Sequence, residues 1–65
     1  MKAIICRGER LAPEFLKAQY DPFIHDYLMV WTSSSAQVFD YEEAEAILWQ
    51  LHEDDEEEAY IVSLE

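Results

Sequence analysis

One glycine, one cysteine, two prolines and no Lys or Arg beyond position 17 set the limits of this 65-residue chain. With Gly8 alone there is no phosphate-cradling loop, since such loops need several glycines to bring backbone amides up to an anion. With Cys6 alone there is no internal disulfide, which sets aside the stapled secreted mini-proteins and fits a reducing compartment. Cys6 follows Ala3-Ile4-Ile5 and reads as a small core hydrophobe rather than a reactive thiol. No apolar run approaches the ~20 residues of a membrane span. The apolar stretch before Arg7 is also far shorter than a signal peptide's core. The expected setting is the cytoplasm.

The shortage of positive charge is the most informative. Lys2, Arg7, Arg10 and Lys17 face only Glu9 and Glu14 up to position 17, which leaves +2 there. The forty-eight residues that follow hold thirteen carboxylates and no Lys or Arg, so they carry −13, and the chain totals −11. Such a surface repels nucleic acid and anionic membrane and raises the energy of its own compact state. It attracts basic surfaces, above all those that hold DNA or RNA.

What is present is apolar. Hydrophobic residues make up 51% and aromatics 14% of the chain, too much for a disordered acidic tail. Residues 1–65 therefore form a single acidic domain. A chain this short buries only about 60% of the surface its unfolded form exposes. Self-association or a bound partner would stabilise it appreciably.

Along the chain, Lys2 to Cys6 reads as a strand ended by Gly8. Pro13 suits the first turn of a short helix over Leu11 to Tyr20, stopped by Asp21-Pro22. Tyr27 to Thr32 is apolar on both faces, as a central strand would be. Ser33 to Ser35 would turn it into a hairpin with Ala36 to Phe39. Asp40 with Glu43 three residues on resembles a capping box, with Phe39 and Ala44 placed as a staple. Tyr41, Ala44, Ile47, Leu48 and Leu51 give the apolar stripe of a helix running to about His52. Glu53 to Glu58 is a solvated loop held extended by mutual repulsion, and Tyr60 to Leu64 is a final strand. The fold class is α+β: a small, mostly antiparallel sheet of about four strands, one main helix on one face and a short second helix. The main helix would cross over to give one parallel pair.

Two features compete for a functional role. Glu42, Glu45, Trp49 and Glu53 project on one side of the main helix, away from its apolar stripe. Carboxylates at three- and four-residue spacings can stand in for phosphates, and Trp is the residue most enriched at binding hot spots. Alternatively, Trp49 folds back to pack in a domain short of core. The acid run Glu53, Asp54, Asp55, Glu56, Glu57 and Glu58 is either a docking loop for a basic groove or a solubilising tract. It lacks the sharp-turn glycine and alternating ligands of a calcium loop, so no metal is expected.

His25 and His52 have no His or Cys near them, and His52 is placed to favour the helix C-terminus. The serines Ser33 to Ser35 lack a strained glycine-flanked turn and a base, so no catalytic residue and no cofactor are assigned. Tyr27, Tyr41 and Tyr60 should bury their rings and leave the hydroxyls wet.

The helix start Phe39-Asp40-Tyr41-Glu42-Glu43-Ala44-Glu45-Ala46-Ile47-Leu48, a hairpin before it and the Tyr60 to Leu64 strand after it resemble small phage-encoded proteins. With its acidity, the chain is similar to anti-CRISPR and anti-restriction proteins that act as nucleic-acid mimics. The resemblance is compositional and architectural and covers about the last forty residues. It implies a non-enzymatic inhibitor of a basic nucleic-acid-binding protein or complex, and carries no residue roles with it. The alternative is a subunit or adaptor that pairs through apolar surface, with a partner or a second copy, while the acids serve solubility.

Overall fold

A computed structural model describes residues 1–65. It contains strands β1 (Lys2–Arg7), β2 (Glu14–Asp21), β3 (Asp26–Thr32) and β4 (Phe39–Asp40), helix α1 (Tyr41–Glu53), and strand β5 (Tyr60–Ser63). This is an α+β fold with one five-stranded open sheet and one helix.

β1 is the central strand because Ala3, Ile4, Ile5 and Cys6 can be buried from both sides. β5 lies along one edge in the register Ala3↔Ser63 to Cys6↔Tyr60. The other edge is shared: β4 pairs at Lys2 and Ala3, and β2 pairs at Cys6 and Arg7. β2 then pairs with β3 over seven rungs, from Phe15↔Thr32 to Asp21↔Asp26. Every pairing is antiparallel, so the crossover with a parallel pair does not occur.

Four further expectations are corrected. The short helix over Leu11 to Tyr20 is strand β2, because the seven bonded rungs with β3 outweigh the helix-start preference of Pro13. The hairpin turn is not Ser33 to Ser35 but Pro22 to His25, between β2 and β3. There Asp21 Oδ1 accepts the Phe23 amide at 2.9 Å, and His25 takes a left-handed φ of 55°. Asp-Pro is a turn-initiating pair, so the break was visible but was matched to the wrong neighbour. The Ala36 to Phe39 strand shrinks to β4 and pairs with β1 rather than with Tyr27 to Thr32. Those residues form β3, at the margin of the sheet and not its centre.

The core lies between α1 and the sheet. Ala3, Ile5, Leu16, Phe39 and Ala44 form it, with Trp31, Tyr41, Ile47, Leu51 and Ile61 packed around them. Small Ala3 and Ala44, both fully buried, let the helix sit close to β1. The expected stripe on α1 is the face that packs here, and Phe39 and Ala44 share the cluster as the staple requires. The capping box does not form. Asp40 makes no side-chain cap bond, since its carboxylate is taken by Lys2, and the Tyr41 amide instead donates to the Met1 carbonyl at 2.9 Å. That Lys2 bond holds the Asp40 carboxyl below its usual range and pushes the lysine up.

On the opposite face, Cys6 is buried and burial pushes its thiol up, consistent with a packing role. Tyr60 stands opposite Cys6 and carries the Arg10 guanidinium 4.6 Å from its ring centroid. Gly8 adopts φ +83° where β1 ends, with nothing within 4 Å of the position a Cβ would take. Backbone conformation, not crowding, selects glycine there.

α1 lies over β1, β4 and β5, and the β2–β3 hairpin extends beyond the helix-covered body as an arm. Only seven of the 65 residues are buried, so the core is thin for a chain carrying −11. Screening that charge is expected to stabilise the fold. Raising NaCl from about 10 to about 150 mM should lift the melting temperature by roughly 5 °C, about 1 kcal/mol for a domain of this size. Circular dichroism melts check this, and a fall with salt would mean that the internal ion pairs dominate.

Candidate functional site

The outer face of α1 follows from its helical period. With Ala44 buried and Tyr41, Ile47, Leu48 and Leu51 half-buried, Glu42, Glu45, Ala46, Trp49 and Glu53 are all exposed. Trp49 is 71% exposed, so it does not fold back into the core. From Glu42 to Glu53 the face runs about 16 Å along the axis. Glu42 and Glu45 also line an open depression beside Met1, Asp40 and Tyr41.

The positive charges of the chain are spent elsewhere. Lys2 bonds Asp40, and Lys17 Nζ lies 3.5 Å from Ser35 Oγ. Arg10 lies on Tyr60. Arg7 Nε donates to Glu14 at 2.9 Å and its Nη1 to Glu56 at 3.2 Å, while its guanidinium lies 4.5 Å from the Trp31 ring centroid. Burial pulls the Arg7 guanidinium down, and the bonds and charges of Glu14 and Glu56 more than reverse this, leaving it raised. Glu42, Glu45, Glu53, Asp54, Asp55, Glu57 and Glu58 therefore have no counter-ion within the molecule.

The acid run is not extended as expected. Two compact turns follow the helix: the Glu56 amide donates to the Leu51 carbonyl at 2.9 Å, and the Ala59 amide to the Glu56 carbonyl at 3.1 Å. Asp55 takes a left-handed φ of 66°. His52 Nε2 lies 3.1 Å from the Ala59 carbonyl, so its ring ties the helix end to the residue before β5. The Arg7 bond to Glu56 joins the loop to β1. Glu56 thus stands apart from the candidate set as a structural acid. Asp54 also has a local role, accepting from Gln50 Nε2 at 3.4 Å. Sequence spacing could not reveal the role of Glu56, because Arg7 lies 49 residues from it.

A second exposed surface takes in part of the apolar strand Tyr27 to Thr32, whose two apolar faces motivate the alternative of pairing through apolar surface. On the arm, Tyr20, Phe23, Ile24, Tyr27, Leu28 and Met29 are all exposed, Phe23 at 93% and Tyr27 at 66%. Tyr27 does not bury its ring as expected; it meets Tyr20 edge-on at 5.4 Å. Tyr41 and Tyr60 are half-buried. Between arm and helix runs a groove lined by Leu16 and Met29 on one side and by Ile47, Gln50, Leu51 and Asp54 on the other.

The geometry holds no group of three or more His, Cys, Asp or Glu placed to ligate a metal. No helix is long and apolar enough to cross a membrane. The chain is defined by its fold as a small α+β protein, and no protein-family model, curated protein or solved structure matches it.

Proposed function

We propose that this protein is a non-enzymatic acidic inhibitor that occupies the basic nucleic-acid-binding surface of another protein. The observation that carries the reading is Trp49, an exposed indole on a helix face whose Glu42, Glu45 and Glu53 have no internal counter-ion. Carboxylates replace the phosphates that the partner's Lys and Arg otherwise hold, and Trp49 supplies an apolar anchor. Asp55, Glu57 and Glu58, in the turns after the helix, add to the attracting field and speed encounter. The resemblance to phage anti-CRISPR and anti-restriction proteins suggests a defence complex of the host cytoplasm as the target.

The protein, immobilised and exposed to source-cell lysate at low salt, is expected to capture a nucleic-acid-binding protein. A salt gradient should release it at moderate ionic strength, and added DNA should displace it. Against that target, Trp49→Ala is expected to weaken binding about 30-fold, as for a hot spot of ~2 kcal/mol. The triple change Glu42→Gln, Glu45→Gln, Glu53→Gln should weaken it about tenfold and flatten the salt dependence. Capture that persists at ~0.5 M salt and ignores DNA would overturn the reading.

A further inference from the structure

The outer edge of β3 combines three properties that natural edge strands avoid. It is seven residues long, pairs with β2 one-to-one without a bulge, and contains no Lys or Pro. From Tyr27 to Thr32 it carries no charge at all. β5, at the other edge, is only four residues long and is followed closely by Glu65.

Hydrogen bonds on the β2 side settle which backbone groups of β3 point outward. The Ala18 amide donates to Gln37 Oε1 at 2.8 Å, and the Leu16 carbonyl accepts from the Gln37 amide at 3.4 Å. Both groups therefore point away from β3. Ala18 stands opposite Met29 and Leu16 opposite Trp31, so Met29 and Trp31 turn their own backbone groups outward. Tyr27 agrees: its amide donates to Asp26 Oδ1 at 2.7 Å instead of to β2. The outward amides and carbonyls of Met29 and Trp31 have no partner in the molecule.

We infer that this edge pairs with the same edge of a second copy, antiparallel and centred on Met29. In that register Tyr27 meets Trp31 of the partner copy, Leu28 meets Val30, and Asp26 meets Thr32, so aromatic faces aromatic and no carboxylate faces another. A two-fold axis through Met29 makes the contact self-complementary and closed. The two sheets become one, running β5-β1-β2-β3 and back through the second copy.

The register argues for a second copy as the occupant, because the edge is complementary to itself and Tyr27, Leu28 and Met29 on it are exposed. Charge opposes the pairing of two chains of −11, with Asp54 across a groove from Met29, so the contact forms where salt screens it. With seven residues buried in the monomer, the arm is also where the missing burial is available. The inference stands independently of the acidic-face reading, since Trp49 and its acids lie on the helix.

Sedimentation equilibrium at about 10–200 μM protein and 0.3 M NaCl is the test. The expected species has twice the 7.7 kDa chain mass and dissociates as salt is lowered. Met29→Pro removes an outward amide without touching the β2 ladder, and Met29→Lys brings two cations together at the axis. Each is expected to raise the dimer dissociation constant at least 30-fold. Circular dichroism identifies a variant that fails to fold, and the other then decides. A wild-type protein that stays monomeric at 200 μM overturns the inference. So does a dimer that a folded Met29 variant leaves unchanged.

Discussion

Ile5→Ala is expected to leave the protein largely unfolded at 25 °C. Ile5 is fully buried at the centre of β1, between α1 and the flanking strands, and pairs directly with Ile61 of β5. Truncating an isoleucine in such a position costs about 2–5 kcal/mol, because the surroundings collapse only partly into the space. A single core in a chain of fewer than about 70 residues rarely supplies more than 3–5 kcal/mol in total. The loss is therefore comparable with the whole stability. Urea unfolding followed by far-ultraviolet circular dichroism should show a native baseline that is short or absent. Ile5→Val, which removes one methyl group, should cost about 1 kcal/mol and keep the transition. A well-folded Ile5→Ala protein would place the stabilising contacts elsewhere, in the arm or at an interface.

Arg7→Ala should produce the next largest effect, about 2 kcal/mol. Its side chain touches three parts of the structure: Glu14 of β2, Glu56 in the turns after α1, and the ring of Trp31 in β3. Partly buried charge-assisted bonds and a cation over an indole each contribute on the order of 1 kcal/mol, and removing the cation leaves two carboxylates repelling each other. Because α1 lies over β1, β4 and β5, Arg7 is also a main link between arm and body. Arg7→Lys should recover only part of the loss, since an ammonium cannot reproduce the planar fork and its stacking. Hydrogen exchange gives a sharper readout than the melting temperature alone. In Arg7→Ala the amides of β2 and β3 should exchange faster relative to those of β1 and β5. Equal acceleration everywhere would mean that Arg7 stabilises the fold as a whole and is not a local link.

The elements legible from the sequence were those whose signal is local. β1, α1 and β5 each carry their own pattern: an isoleucine run, an apolar stripe of three- and four-residue spacings, and a short alternating tail. β2 was misread because its evidence lies in β3. Glu14 to Asp21 alone suits a short helix after Pro13, and only its seven rungs with β3 make it a strand. The serine cluster after Thr32 looked like a hairpin turn, whereas Pro22 to His25 holds a single turn former, Pro22, beside Phe23 and Ile24. β3 resembled a buried central strand for a related reason. Apolar residues on both faces usually report burial within one molecule, and here they lie at a free edge.

The site divides in the same way. Helical period alone grouped Glu42, Glu45, Trp49 and Glu53, and their exposure agrees with that grouping. The separation of Glu56 from its neighbours depended on Arg7, which no spacing rule connects to it.

The way β1 draws its partners from distant parts of the chain has a kinetic consequence. β2 and β3 are joined by four residues, and a hairpin of that kind forms within about 1–10 μs. β1 must wait for residues 60–63, close to sixty positions away, and domains dominated by such remote pairings fold in milliseconds to seconds. On refolding from denaturant the chain is thus expected to form and lose the hairpin many times before β1 finds β5, since a lone two-stranded hairpin is at best marginally stable. Each of those openings exposes the apolar edge of β3, so protein concentration is expected to set how often it meets another molecule instead.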